Sequence, residues 1–128
     1  MNKLCLGGLV FSGKGEGAKF VSLPWARKQI EEKLGYSVFP GTLNIRLRGD
    51  DIAMRKSLID GGGIEILPRH DACRGELFIA RLRGVDCALI IPEVPGYAAD
   101  VVEIVANVNL REELGLFDGA FVEVEFTV

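Results

Sequence analysis

Short strand-like segments punctuated by glycine, with a single full helix pattern among them, limit the folds open to this chain more than any other feature. Leu4, Leu6, Leu9, Val10 and Phe11 form an apolar segment that runs into Ser12-Gly13-Lys14-Gly15-Glu16-Gly17, the pattern of a strand passing into a loop. Thr42 to Leu47 alternates, with Leu43, Ile45 and Leu47 on one face and Thr42, Asn44 and Arg46 on the other. Gly61 to Gly63 break the middle of the chain before strand-like runs at Ile64 to Leu67, Leu77 to Leu82 and Val85 to Ile91. Arg83-Gly84 between the last two fits a tight hairpin. Val101 to Val108 reads as a mostly apolar strand, and Phe121 to Thr127, reached through Asp118-Gly119, alternates strictly. Helical spacing is complete only over Trp25 to Leu34, opened by Pro24 and closed by Gly35, while Leu110 to Leu114 is a helical turn stopped by Gly115.

Six or seven strands with one main helix do not make a βαβ series, and a closed or nearly closed β-barrel removes the unpaired edges. The expected fold is therefore mainly β, with one main helix and short helical turns. At 128 residues and 48% hydrophobic composition, one domain spanning 1–128 around one core is expected.

The net charge of −3 and pI near 5.2 argue against nucleic-acid binding, which needs concentrated positive charge. Arg46, Arg48, Arg55, Arg69, Arg74, Arg81 and Arg83 crowd the middle third, as a local basic patch or as a solvated face. Cys5, Cys73 and Cys87 lack CxxC spacing and an even count, so reduced thiols and a cytoplasmic location are expected. No apolar run approaches the roughly 20 residues of a membrane span, so no membrane partner is expected. His70, the one histidine, reads as a surface loop residue and gives no support to a His-based metal site or a Ser/His triad.

Four segments carry possible chemistry. Gly13, Lys14, Gly15, Glu16, Gly17 and Ala18 follow a strand, and glycines there let backbone N–H groups approach phosphate oxygens, although the same residues also suit a flexible hairpin. Thr42 and Asn44 place two neutral oxygens about 6.5 Å apart along one strand face, suited to Mg²⁺ or simply to solvent. Glu103 lies among Val101, Val102, Ile104 and Val105, where a carboxylate needs water, a partner or a ligand, and it could orient or deprotonate a substrate hydroxyl. Val108, Asn109, Leu110 and Arg111 mark a strand passing into a helical turn, where Arg111 could hold a phosphate or pair with a nearby Glu behind an Asn109 cap.

In order and spacing these residues resemble the archaeal-type CTP-dependent riboflavin kinases. The resemblance is carried by Ser12-Gly13-Lys14-Gly15-Glu16-Gly17, Phe20 with Ser22-Leu23-Pro24, Gly41-Thr42-Leu43-Asn44, Val102-Glu103-Ile104-Val105-Ala106, Leu110-Arg111-Glu112 and Asp118-Gly119. It implies a six-stranded, Greek-key-like cradle-loop barrel with no room for an N-terminal helix-turn-helix domain. It implies that Gly13 to Ala18 and Val108 to Arg111 contact the cytidine nucleotide, that Thr42 and Asn44 ligate Mg²⁺, and that Pro95 and Glu103 border the flavin. Pro95 and Tyr97 are departures within the resemblance, standing where one relative in the family has Thr and His. The implied substrates are CTP and riboflavin, and the implied assembly is a monomer. Two other readings remain: a swapped-hairpin DNA-binding regulator, suggested by the turn, Asp-Gly and alternating strand of Leu110 to Val124, and a flavin- or nucleotide-binding module without catalysis.

Overall fold

The computed structural model describes residues 3–13, 15–68 and 73–127. Its strands are β1 (Lys3–Phe11), β2 (Leu43–Leu47), β3 (Ile64–Ile66), β4 (Gly75–Leu82), β5 (Val85–Pro92), β6 (Val101–Ala106) and β7 (Phe121–Thr127). Its helices are α1 (Glu16–Ser22), α2 (Pro24–Leu34), α3 (Asp50–Asp60) and α4 (Leu110–Leu114). Strands β4, β5, β6, β2, β1 and β7 pair antiparallel in that order, and β7 returns to β4 through Ala80 with Phe126 and Arg81 with Glu125. The result is the expected closed six-stranded barrel, with β3 added on β4.

Two apolar clusters hold it. Leu6, Val10, Ile45, Leu89, Ile104, Val124 and Phe126 fill the interior, each at most 1% exposed. On the outer wall, Phe20, Val21, Ala26 and Ile30 of α1 and α2 cover Leu77, Ala88, Ile90 and Val105. This second layer explains why β5 and β6 are apolar on both faces while β7, with one face in solvent, alternates strictly. It also places Glu103, one side-chain period from Val105, beneath the helices instead of in solvent.

Local signals set the boundaries. Pro24 stands at the first position of α2, where its missing N–H costs nothing, and Gly35 ends the helix at φ 81°. Arg83 and Gly84 both adopt positive φ, 47° and 82°, as a two-residue hairpin of the right twist requires. Two helices lie where no helix is expected from the sequence. In α1 the glycines suggest loop, but burial of Phe20 and Val21 fixes a helix from Glu16 onward, so the loop proper ends at Gly15. In α3 the inward face is broken by a buried arginine, Arg55, beside Leu58, which blurs the apolar stripe. Strand β6 stops at Ala106, two residues short of the expected end. No described helix is long and apolar enough to cross a membrane.

The middle-third arginines are dispersed. Arg46 faces Asp100, Arg74 faces Glu65 and Glu93, Arg81 faces Asp86, and Arg55 is buried. Arg69 and His70 lie outside the described residues.

Candidate active site

Glu103 on β6 stands directly opposite Asn44 on β2, so the two side chains share one outward face of the barrel wall. Thr42, two residues before Asn44, joins them there. Helix α1 closes over this face and leaves Glu103 only 2% exposed. A carboxylate so buried must be satisfied by donors, and three reach it. The Thr42 hydroxyl donates to Oε1 at 2.7 Å, the Gly17 N–H donates to Oε2 at 2.7 Å, and the Tyr97 hydroxyl donates to Oε2 at 2.5 Å. A carboxylate offers about four acceptor directions, so one remains, on Oε1.

Two glycines make this packing possible. A Cβ on Gly17 would stand 2.6 Å from the Glu103 carboxyl carbon, and a Cβ on Gly13 would stand 2.5 Å from Asn44 Oδ1. Both approaches exclude any larger residue without displacement of the polar groups.

Two small cavities flank the cluster. The first, about 120 Å³, is lined by Phe11, Glu16, Asn44, Arg46, Tyr97 and Glu103. The second, about 130 Å³, is lined by Phe39, Gly41, Thr42, Val108, Asn109 and Arg111. Thr42 belongs to one and Glu103 to the other, so their hydrogen bond lies in the wall between them. Larger hollows of about 600 and 650 Å³ open elsewhere on the barrel, around Tyr36 and Cys87 and around Gly61 to Gly63, and neither reaches Glu103.

Around the first cavity, Arg46 places its guanidinium carbon 4.2 Å from the centre of the Phe11 ring. Tyr97 has its phenol pKa raised well above the usual range, first by burial and then by its hydrogen bond to Glu103 and that residue's charge. It therefore remains a donor at physiological pH. Around the second cavity, Asn109 caps α4 by accepting from the Glu112 N–H at 3.3 Å. Arg111 donates to Asp118 Oδ1 at 2.6 Å and to the Phe11 carbonyl at 3.3 Å. Ser12 also donates to Asp118, at 3.0 Å to Oδ2. Asp118 is held below its ordinary carboxylate pKa by Arg111 first and Ser12 second. This network ties the start of the glycine-rich loop to the start of α4.

The structure brings most of the candidate residues together but assigns them different neighbours. Gly15 and Glu16 line the first cavity, whereas Val108, Asn109, Leu110 and Arg111 line the second. Gly13 lies against Asn44, Gly17 commits its N–H to Glu103, and Ala18 follows within α1. Lys14 lies outside the described residues. Pro95 is exposed on the β5–β6 loop, where Gly96, Tyr97 and Ala98 line the cavity in its place. Tyr97, Arg55 and Asp118 were not chosen from the sequence as site residues. Tyr97 registers there as an aromatic that could stack on a flavin ring and as a departure within the resemblance, Arg55 as one arginine of a crowd, and Asp118 as part of the Asp-Gly turn that the resemblance includes.

Thr42 and Asn44 suit a hard cation. The Thr42 hydroxyl hydrogen points to Glu103, which leaves its oxygen lone pairs directed away, and Asn44 makes no side-chain hydrogen bond among the described residues. No cluster of three or more His, Cys, Asp or Glu able to hold a metal is found among the described residues. An ion that keeps most of its shell as water and substrate oxygens needs no such cluster, so the residues present fit one.

Fold and site thus define a closed barrel with a buried carboxylate between two cavities and neutral oxygens suited to a cation. A family model for CTP-dependent riboflavin kinases, described as a domain of unknown function, DUF120, matches residues 10–126. The chain belongs to this family. It is 44% identical over 122 residues to a riboflavin kinase of Archaeoglobus fulgidus, covering 92% of this chain and 52% of that protein. The same identity over 122 residues holds for a riboflavin kinase of Pyrobaculum aerophilum, with 92% of this chain and 58% of the relative covered. A riboflavin kinase of Methanoculleus marisnigri is 39% identical over 126 residues, covering 95% and 57%. The chain spans about half the length of these relatives.

Proposed function

We propose that this chain is a riboflavin kinase that transfers the γ-phosphate of CTP to the 5′-hydroxyl of riboflavin, giving FMN and CDP. The observation that carries the reading is the placement of Thr42, Asn44 and Glu103 between two cavities, which suits two substrates meeting end to end. The relatives' names supply the acceptor and the family's name supplies the donor. Each cavity admits the reacting end of a substrate, with the remainder lying over the surface around it.

Phosphoryl transfer asks a protein mainly for positioning and for neutralisation of phosphate charge. In this reading the nucleotide occupies the side of Val108 to Arg111, where Arg111 retains donors beyond those given to Asp118 and Phe11. The backbone of Gly13 and Gly15 approaches its phosphates from the opposite side. Riboflavin enters the cavity beside Tyr97 and Phe11, and its 5′-hydroxyl donates to the remaining lone pair on Glu103 Oε1. Glu103 orients that hydroxyl for in-line attack and accepts its proton as the new P–O bond forms and the bond to CDP breaks. A divalent cation such as Mg²⁺, held by Thr42 Oγ1 and Asn44 Oδ1, would neutralise charge on the phosphate oxygens.

Glu103→Gln tests the role of the carboxylate. Loss of a general base costs about 10² to 10⁴ in rate, so kcat for FMN formation should fall at least about a hundredfold while nucleotide affinity stays nearly constant. Unchanged turnover would remove Glu103 from the mechanism. The dispersed arginines offer nothing that favours the DNA-binding reading.

A further inference from the structure

Arg55 and Glu103 are the two buried charged side chains among the described residues, and one aromatic ring stands between them. Arg55 comes from the inward face of α3, where its Nε donates to the Val101 carbonyl at 2.9 Å. Its guanidinium carbon lies 5.9 Å from the centre of the Tyr97 ring. A guanidinium taken out of water needs compensation, and here the carbonyl and the negative face of the ring supply it. The opposite end of the same ring carries the hydroxyl that donates to Glu103 Oε2. The chain thus runs from α3 through Arg55 and Tyr97 to the carboxylate.

The β5–β6 loop shows why this residue matters. The loop is fixed at its ends, where the Glu93 N–H donates to the Arg74 carbonyl at 2.8 Å and the Leu47 N–H donates to the Asp100 carbonyl at 2.7 Å. Between them Pro95, Gly96, Ala98 and Ala99 are exposed while Val94 and Tyr97 are half-buried, and of these two Tyr97 lines the first cavity. Its side chain is therefore what seats the middle of the loop against the first cavity.

We propose that Tyr97 is a positioning residue for the transfer, supported by Arg55. It holds the β5–β6 loop over the flavin side and fixes Glu103 so that the free acceptor direction on Oε1 meets the incoming hydroxyl. The proposal rests on the kinase reading above. It also accounts for the α3 arginine, which touches neither cavity: its effect on the reaction passes through the Tyr97 hydroxyl.

The test is a kinetic double-mutant cycle with Tyr97→Phe and Arg55→Lys, with urea midpoints recorded so that rates are compared on folded protein. Phe keeps the ring and removes only the donor, and a hydrogen bond to a charged group corresponds to about tenfold or more in rate. The expected result is a kcat for FMN formation lowered by about that factor in Tyr97→Phe, with KM for CTP within about twofold of the parent. Arg55→Lys should lower kcat about threefold to tenfold in the parent and less than about twofold in the Tyr97→Phe background, because both act through one hydroxyl. A parent-like kcat in Tyr97→Phe, or equal losses from Arg55→Lys in both backgrounds, overturns the proposal and leaves the kinase reading standing. No FMN from the parent protein with any nucleotide removes the kinase reading, and the positioning role with it.

Discussion

Asp118 shows how much one exposed carboxylate does here. It receives Arg111 and Ser12, and so joins the α4 start to the end of β1 across more than a hundred residues of chain. Both donors hold its folded-state pKa below the ordinary 3.8. A depressed carboxylate pKa contributes stability that is fully present above the unfolded value and is lost as pH falls through the folded one. The difference in thermal midpoint between the parent and Asp118→Asn should therefore be constant through neutral pH and shrink below about pH 4. A difference that persists undiminished at pH 3 would show that the Asp118 charge is not what ties these segments. At this same scale, Glu103 was legible in the sequence because a carboxylate inside Val-Val-Glu-Ile-Val demands an explanation. Its three donors were not legible, since Gly17, Thr42 and Tyr97 come from three separate segments that only tertiary folding brings to one point.

Strands and turns were readable because their periods and punctuation are local. The alternation of Phe121 to Thr127 matches β7, and Arg83-Gly84 forms the anticipated hairpin. That turn is sharp enough to test alone. Gly84 sits at φ 82° with nothing within 4 Å of where a Cβ would project, so Gly84→Ala adds no clash and costs only backbone strain. The left-handed conformation should cost about 1 to 2 kcal/mol, read as a lower urea midpoint at unchanged slope, and an unchanged midpoint would mean that the turn relaxes to another type. Helices α1 and α3 were not readable for a different reason. One begins in glycine and owes its form to Phe20 and Val21 docking on the wall, and the other buries an arginine where an apolar residue would complete its stripe. In both cases tertiary contacts outweigh local propensity.

For the whole molecule, closure and a second outer layer turn a plain barrel into one that holds a site. Closure through Ala80 with Phe126 and Arg81 with Glu125 leaves none of the six barrel strands as a free edge, β3 alone standing outside the ring on β4. The layer of α1 and α2 then buries one patch of the outer wall, and at its border stand Glu103, Asn44 and Thr42. The sequence order of glycine-rich loop, Gly-Thr-Leu-Asn, a Glu among valines, Leu-Arg-Glu and Asp-Gly pointed to the family, and the family model confirms that membership over residues 10–126. The division into two cavities, with the loop on one and α4 on the other, required the structure because neither segment marks its neighbours.

Incubating the purified protein with riboflavin, Mg²⁺ and each of CTP, ATP, GTP and UTP, then separating the flavins by chromatography, shows whether this barrel phosphorylates riboflavin and from which donor. FMN formed with CTP, and far less with the other three, is the predicted result. No FMN with any donor, alongside riboflavin binding seen by fluorescence quenching, would contradict it and leave a flavin-binding barrel without kinase activity.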